Sequence, residues 1–117
     1  MAAEVTIFHN PACSTSRKVL VALRARGPEP TVVEYLKTGW RRDQLERLFR
    51  RMNVTPRQAL RVRGGRAEEL GLTEPWVTDD QILEAMTSEP VLVERPIVVT
   101  DKGAAIVRPP EKLAELM

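Results

Sequence analysis

The sequence predicts an α/β (α+β) fold in which helices pack against a four-stranded mixed β-sheet. The first observation is an amphipathic segment that lies between two β-branched ones, over residues 5–8 and 31–36. Strands joined through a helix run parallel to each other. The second observation is a hairpin pattern over residues 95–108, which adds two antiparallel strands. A sheet with both kinds of neighbour is mixed.

The first strand and the first helix flank the only cysteine of the chain, Cys13. Apolar residues recur at helical spacing over residues 19–23, and Gly27 ends this helix. The hydroxyl side chains of residues 14–16 are typical of helix caps, so the sequence predicts the N-cap among them. Cys13 therefore lies at a strand-to-helix junction.

The middle of the chain predicts a helical insert between the second and third strands, over about residues 41–89. Pro28 interrupts regular structure between the first helix and the second strand. The pieces of the insert are short and none has an apolar core of its own. We therefore expect one domain over residues 1–117.

Three signals predict helices inside this insert. An amphipathic pattern begins at Arg42, and a capping box at Thr78 opens the last helix. Between them, Thr55 and the proline after it predict a brief helix that carries residues 59–61. The insert is thus expected to contain helices and no strand.

The last third of the chain returns to strands. Residues 95–100 and 104–108 form the hairpin, and a short helix over residues 111–117 follows. The order β-α-β, helical insert, β-β-α describes the thioredoxin/glutaredoxin-like arrangement. In such folds a proline before the third strand faces the loop after the first strand, often through a cis peptide bond. Pro96 has this position.

Cys13 has the surroundings of a reactive thiol. A helix N-terminus presents unpaired N–H groups and a partial positive charge, which favour the thiolate, and Arg17 adds a full charge one turn along. The same N–H groups can hold an oxyanion beside the sulfur. A lone cysteine is more commonly a small buried apolar residue. The proline before it, the hydroxyls after it and Arg17 favour the reactive interpretation here.

Composition excludes several classes of function. The chain has 117 residues, 43% of them hydrophobic, and contains no apolar segment near membrane length and no signal peptide pattern. We therefore expect a cytoplasmic protein that does not contact a membrane. The net charge is only +2, with acidic residues interleaved throughout, so we expect no nucleic acid partner.

A single cysteine also constrains the mechanism. It cannot form a disulfide within the chain, which agrees with a reducing compartment. If Cys13 forms a covalent adduct, the thiol that resolves it must come from another molecule. A low-molecular-weight thiol or a small redox protein is therefore implied.

Several motifs follow one another along nearly the whole chain. They are His9-Asn10-Pro11-Ala12-Cys13-Ser14-Thr15-Ser16-Arg17, Ala59-Leu60-Arg61, Glu69-Leu70-Gly71-Leu72, Thr78-Asp79-Asp80-Gln81, Arg95-Pro96-Ile97-Val98-Val99-Thr100 and Arg108-Pro109. A chain with these motifs in this order resembles the glutaredoxin-linked arsenate reductases, the ArsC family. The set is much more specific than a lone cysteine followed by a serine.

This resemblance implies the roles of the site residues. Cys13 would attack arsenate, and the arginines that would line the oxyanion site are Arg61, Arg95 and Arg108. The residues that would support the thiolate are His9, Ser16 and Arg17. Guanidinium groups pair bidentately with tetrahedral oxyanions and stay charged at any working pH, so these roles are chemically reasonable. No metal and no bound cofactor are implied. Glutathione is the co-substrate, glutaredoxin is the partner, and we expect a monomer.

Glu94 departs from a simple anion site, because it places an acid next to Arg95. Alternation along a strand would turn the Glu94 side chain to the opposite face. We therefore expect Glu94 to point away from the arginines of the site.

Two other functions fit the same fold. One is a glutathione-dependent thiol oxidoreductase of the ArsC type that has no arsenate activity. The other is a transcription regulator like Spx, which binds RNA polymerase. Redox switches of that type commonly use a pair of cysteines three residues apart, and this chain has Ser16 at the second position. The regulator is therefore the weakest of the three.

Overall fold

The computed structural model describes residues 4–27 and 29–117. The interruption of regular structure predicted at Pro28 lies outside the described residues. The chain divides into two compact units. The first contains the described residues up to Thr38 together with Arg95–Met117, and the second is Gly39–Glu94. The prediction of a single domain over residues 1–117, with an insert at about 41–89, stays a prediction.

The first unit contains a four-stranded mixed sheet, which confirms the predicted fold class. Its strands are β1 (Thr6–Phe8), β2 (Thr31–Val33), β3 (Ile97–Thr100) and β4 (Gly103–Ile106), in the spatial order β2-β1-β3-β4. Strand β1 runs parallel to β2 and antiparallel to β3, which in turn runs antiparallel to β4. β1 is therefore a central strand, paired on both sides.

The core of the first unit lies between this sheet and two helical segments. They are α1 (Ser14–Ala25) and a 3-10 helix near the end of the chain (Pro110–Leu116). The side chains that form the buried cluster are Ile7, Val19, Leu20, Leu23, Val98, Val107, Leu113 and Leu116. The predicted terminal helix is present, with the tighter turns of a 3-10 helix.

The second strand is shorter than the sequence predicts. Tyr35 and Leu36, expected to continue it, instead begin α2 (Tyr35–Thr38). The Glu34 carbonyl accepts hydrogen bonds from the backbone N–H groups of Lys37 and Thr38, which closes a helical turn. Tyr35 is buried, with 1% of its surface exposed. Burial of this aromatic side chain favours the turn over a longer strand.

The second unit contains four α-helices and one 3-10 helix (Pro90–Leu92) among its described residues, and the α-helices agree with the predicted helical patterns. They are α3 (Arg42–Met52), α4 (Pro56–Ala59), α5 (Arg66–Glu69) and α6 (Asp79–Ser88). The capping boxes predicted from Thr55 and Thr78 are both present. Across the described chain, no helix is both long and apolar enough to cross a membrane.

The prediction of a brief helix that carries residues 59–61 is wrong about where the helix ends. α4 ends at Ala59, and Leu60 has extended backbone angles, with φ −70° and ψ 128°. Leu60 forms an antiparallel bridge with Val93, and the Arg61 N–H donates to the Leu92 carbonyl at 2.7 Å. Pairing with a distant segment therefore competes successfully with helix formation here.

The hairpin also differs slightly from its predicted bounds. β4 ends at Ile106, and β3 begins at Ile97, so Arg108 and Arg95 lie just outside the strands. The Arg95–Pro96 peptide bond is cis, as the sequence predicts, and so is Arg108–Pro109. Both arginines are therefore on loop segments that border the sheet.

Replacement of the α6 cap gives a test of local stability. The Thr78 side chain accepts a hydrogen bond from the Gln81 N–H at 3.1 Å. Thr78→Ala should lower the free energy of unfolding by about 1 kcal/mol, because the first turn of the helix loses this acceptor. Urea unfolding measures the change. Ser88→Ala, at the exposed end of the same helix, is the control, and an equal loss in both variants would contradict the capping role.

Candidate active site

Hydrogen bonds of the backbone and of the Asn10 side chain order the loop between β1 and α1. The His9 N–H donates to the Val33 carbonyl at 2.8 Å, which ties the start of the loop to β2. Asn10 accepts twice, from the Cys13 N–H at its carbonyl (3.0 Å) and from the Ala12 N–H at Oδ1 (2.9 Å). These bonds form a compact turn immediately before the cysteine.

Cys13 is itself the N-cap of α1, so the prediction that residues 14–16 hold the cap is wrong. Cys13 has extended backbone angles (φ −93°, ψ 120°), and its carbonyl accepts from the Arg17 N–H at 3.0 Å. The turn formed by Asn10 brings the chain into the helix one residue earlier than the hydroxyl pattern predicts. The thiol is thereby placed at the positive end of the helix.

Two arginines reach the thiol from distant parts of the sequence. Arg108 Nη1 lies 3.7 Å from Cys13 Sγ and also donates to the Arg95 carbonyl at 3.0 Å. The sheet explains this convergence. β3 is antiparallel to β1, so the start of β3 lies beside the end of β1, and the end of β4 lies beside the start of β3. Residues that border these three ends share one edge.

The surroundings of Cys13 favour the thiolate. Burial opposes the charged form, but the Ser16 backbone N–H and the guanidinium groups of Arg95 and Arg108 outweigh it and lower the pKa of the thiol to about 7. A larger fraction of the thiol is therefore ionised at neutral pH than in an ordinary cysteine. This is the electropositive, partly exposed setting that a nucleophilic cysteine requires.

His9 and Ser16 form a buried polar pair beside this turn. His9 Nδ1 and Ser16 Oγ are 2.6 Å apart, and the Asn10 N–H donates to the same oxygen at 3.1 Å. Burial lowers the pKa of His9, with further lowering by the charges of Arg24 and Arg17 against the opposing effect of Glu34. The imidazole is therefore neutral at pH 7 and fixes the Ser16 side chain by a hydrogen bond.

Arg17 braces the loop. Its Nη1 donates to the carbonyl of Pro11 at 2.8 Å, and Pro11 lies in the turn between Asn10 and Cys13. The side chain is exposed to solvent. A direct role of its charge in support of the thiolate stays a prediction.

Arg61 lies in the second unit, and its part in the oxyanion site stays a prediction. Its Nη1 donates to Glu94 Oε1 at 2.7 Å. The expectation that Glu94 points away from the predicted site arginines is therefore wrong for Arg61, and it stays a prediction for Arg95 and Arg108. Glu94 precedes β3, and its segment pairs instead with the segment that holds Arg61.

Sequence reasoning missed the structural role of Asn10 in the first unit and that of Glu94 in the second. Asn10 orders the turn before Cys13, and its position before a proline, two residues ahead of Ala12, was a usable turn signal. The Glu94 contact with Arg61 has no local signal.

Among the described residues there is no cluster of three or more histidine, cysteine, aspartate or glutamate side chains that could hold a metal ion.

The fold and the site of the first unit together define a thioredoxin-like protein with one activated cysteine beside two guanidinium groups. Comparison with known proteins gives the family. The model of the ArsC family matches residues 8–116. The chain belongs to the ArsC family, as the sequence predicts.

Named relatives agree with this assignment. The chain is 50% identical over 113 residues to the arsenate reductase ArsI2 of Synechocystis sp., covering 97% of this chain and 81% of that protein. It is 44% identical to the arsenate reductase of Escherichia coli K12, covering 97% and 80% of the two chains. A solved structure, the arsenate reductase from Vibrio cholerae, superposes with a TM-score of 0.94 at 37% identity over 100% of both chains.

The thiol pKa can be measured by the rate of alkylation. Because the thiolate is the reactive form, the iodoacetamide rate of native protein should reach half its maximum near pH 7. The unfolded thiol should do so at about 8.5. Arg108→Ala should move the native midpoint upward, since a charge that stabilises the thiolate is lost. Arg26→Ala, at the other end of α1, is the control. Equal midpoints in native and unfolded protein would contradict thiol activation.

Proposed function

We propose that this protein is an arsenate reductase in which the Cys13 thiolate attacks the arsenic atom. The observation that carries the proposal is the 3.7 Å contact between Arg108 Nη1 and Cys13 Sγ, because it joins an anion-binding group to a nucleophile at one point. The arsenate reductase names of relatives at 44–50% identity support the same substrate.

The arginines would bind the substrate and the intermediate. Arsenate is a tetrahedral oxyanion, and guanidinium groups match its oxygens with pairs of N–H donors. Arg95 and Arg108 already stabilise negative charge on the sulfur, and the same charges would stabilise the arsenic adduct. Arg61 joins them in this proposal because its Ala59-Leu60-Arg61 motif matches the family pattern.

The electrons would come from two thiols. Attack by Cys13 forms a sulfur–arsenic bond and releases water. Reduction of As(V) to As(III) takes two electrons, which two sulfur atoms supply as they become a disulfide, and arsenite leaves. Cys13 is the only cysteine of the chain, so the second thiol must belong to another molecule. Glutathione would supply it, and glutaredoxin would restore the Cys13 thiol.

His9, Ser16 and Arg17 would keep the nucleophile in place. Neutral His9 holds the Ser16 hydroxyl, the backbone of Ser16 stabilises the thiolate, and Arg17 ties the loop through Pro11. Pro96, which is buried and follows Arg95 in the chain, would shape the edge of the site. In this proposal the protein works as a cytoplasmic monomer, with no bound cofactor and no nucleic acid partner.

Cys13→Ser should abolish arsenate reduction, because an alcohol at this position is a far weaker nucleophile at neutral pH than a thiol of pKa about 7. The measurement is arsenite formation with arsenate, glutathione and glutaredoxin, each omitted in turn. Circular dichroism should be unchanged, since the substitution alters little volume. Substantial turnover by the variant would rule out covalent catalysis by Cys13. Thiol oxidation by the wild-type protein without any arsenate reduction would favour the thiol oxidoreductase alternative.

Arginine geometry can be tested separately from charge. Arg95→Lys and Arg108→Lys should each lower kcat/KM for arsenate by about tenfold to a hundredfold, because a lysine cannot reproduce the two-pronged contact. Steady-state kinetics provide the measurement. Arg63→Lys, at an exposed arginine of the second unit, is the control and should match wild type. Wild-type kinetics in both site variants would remove guanidinium geometry from the mechanism.

A further inference from the structure

A short antiparallel bridge in the second unit determines where Arg61 and Glu94 lie. Leu60 pairs with Val93, and on either side of this pair the Arg61 N–H bonds to the Leu92 carbonyl (2.7 Å) and the Glu94 N–H to the Ala59 carbonyl (2.9 Å). Adjacent side chains of extended segments point to opposite faces. Leu60 and Val93 are buried on one face, so Arg61 and Glu94 share the other.

The two charged side chains are diagonal neighbours on that face. Diagonal positions across an antiparallel pair are about 7–8 Å apart, which long side chains can span. Arg61 Nη1 and Glu94 Oε1 meet at 2.7 Å. The contact follows from the backbone pairing of both segments, so it is more than a chance meeting of two surface side chains.

This ion pair is also less exposed than three other ion pairs of the chain. The Arg61 side chain is 17% exposed and the Glu94 side chain 18%, whereas in the ion pairs Arg24–Glu29, Arg42–Asp80 and Arg66–Glu89 each side chain is at least 31% exposed. Solvent screens a half-buried pair less than a surface pair. A buried pair is a poor source of stability compared with apolar residues of similar size, but it holds both groups in one orientation.

We propose that Glu94 is a positioning residue, which orients the Arg61 guanidinium for the oxyanion. The proposal rests on the proposed function, because it takes Arg61 as a ligand of arsenate. A guanidinium carries five N–H donors, so one bond to Glu94 leaves others for the substrate. A fixed guanidinium binds an oxyanion at a smaller entropic cost than a mobile one.

The test separates orientation from charge through two variants. Glu94→Ala removes the acceptor, so the arsenate KM should rise about fivefold, while kcat and the glutathione KM stay near wild type. Glu94→Gln keeps an oxygen that accepts from Nη1, so its arsenate KM should stay within about twofold of wild type. Glu89→Ala is the matched control, since Glu89 pairs with Arg66 in the same unit, and it should leave the arsenate KM unchanged.

A double-mutant cycle tests whether Glu94 acts through Arg61. In an Arg61→Ala background, Glu94→Ala should have no further effect on the arsenate KM, because the group that it orients is gone. Thermal unfolding of each variant checks that the fold is intact. A full Glu94→Ala effect in that background would overturn the proposal. A lower arsenate KM in both Glu94 variants would also overturn it, because Glu94 would then be a competitor of the substrate.

A second readout does not depend on turnover. Arsenate that occupies the site should protect Cys13 from iodoacetamide, and Glu94→Ala should raise the half-protecting arsenate concentration about fivefold, with Glu94→Gln close to wild type. If the wild-type protein binds arsenate without reducing it, the proposed function fails while the role of Glu94 is still measured. If wild type reduces arsenate and Glu94→Ala matches it in both assays, only the role of Glu94 fails.

Discussion

Stabilisation of negative charge on one sulfur atom is the constraint on which the arrangement of the first unit depends. Burial alone would keep Cys13 protonated, so the lowered pKa requires donors and positive charges within a few ångströms of Sγ. The start of α1 supplies the Ser16 amide, and two loops supply Arg95 and Arg108. Each of these groups comes from a different segment. The lowered pKa of Cys13 therefore requires that the sheet that joins those segments is formed.

Much of this arrangement could be predicted from local sequence. The β-branched strands, the amphipathic helices and the capping boxes at Thr55 and Thr78 depend on residues close together in the chain. The activated cysteine also has a local signal, because a strand followed by a loop and a helix places Cys13 at a helix N-terminus. The order of the elements predicted the sheet, whereas the convergence of Arg95 and Arg108 on the thiol was predicted only through the family resemblance.

Features that depend on distant pairing could not be predicted in the same way. Leu60 lies outside α4 because it pairs with Val93, and Tyr35 lies in α2, where its ring is buried, and not in β2. The bridge between Leu60 and Val93 also determines the direction of the Glu94 side chain. Glu94 contacts Arg61, which is more than thirty residues away in the sequence. Local propensity is a weak guide wherever a tertiary contact of this kind competes with it.

The lone cysteine has a consequence for how such a protein would behave in a cell. Two-cysteine enzymes can store an oxidising equivalent as an internal disulfide and wait for a reductant. Cys13 has no partner thiol in its own chain, so an adduct on it persists until an outside molecule collides with it. The turnover rate would then depend on the supply of reduced thiols. A shortage of these thiols would leave Cys13 modified and the protein inactive. Under the proposed function, the rate of arsenate reduction would be set by the supply of external thiols as much as by the abundance of this protein.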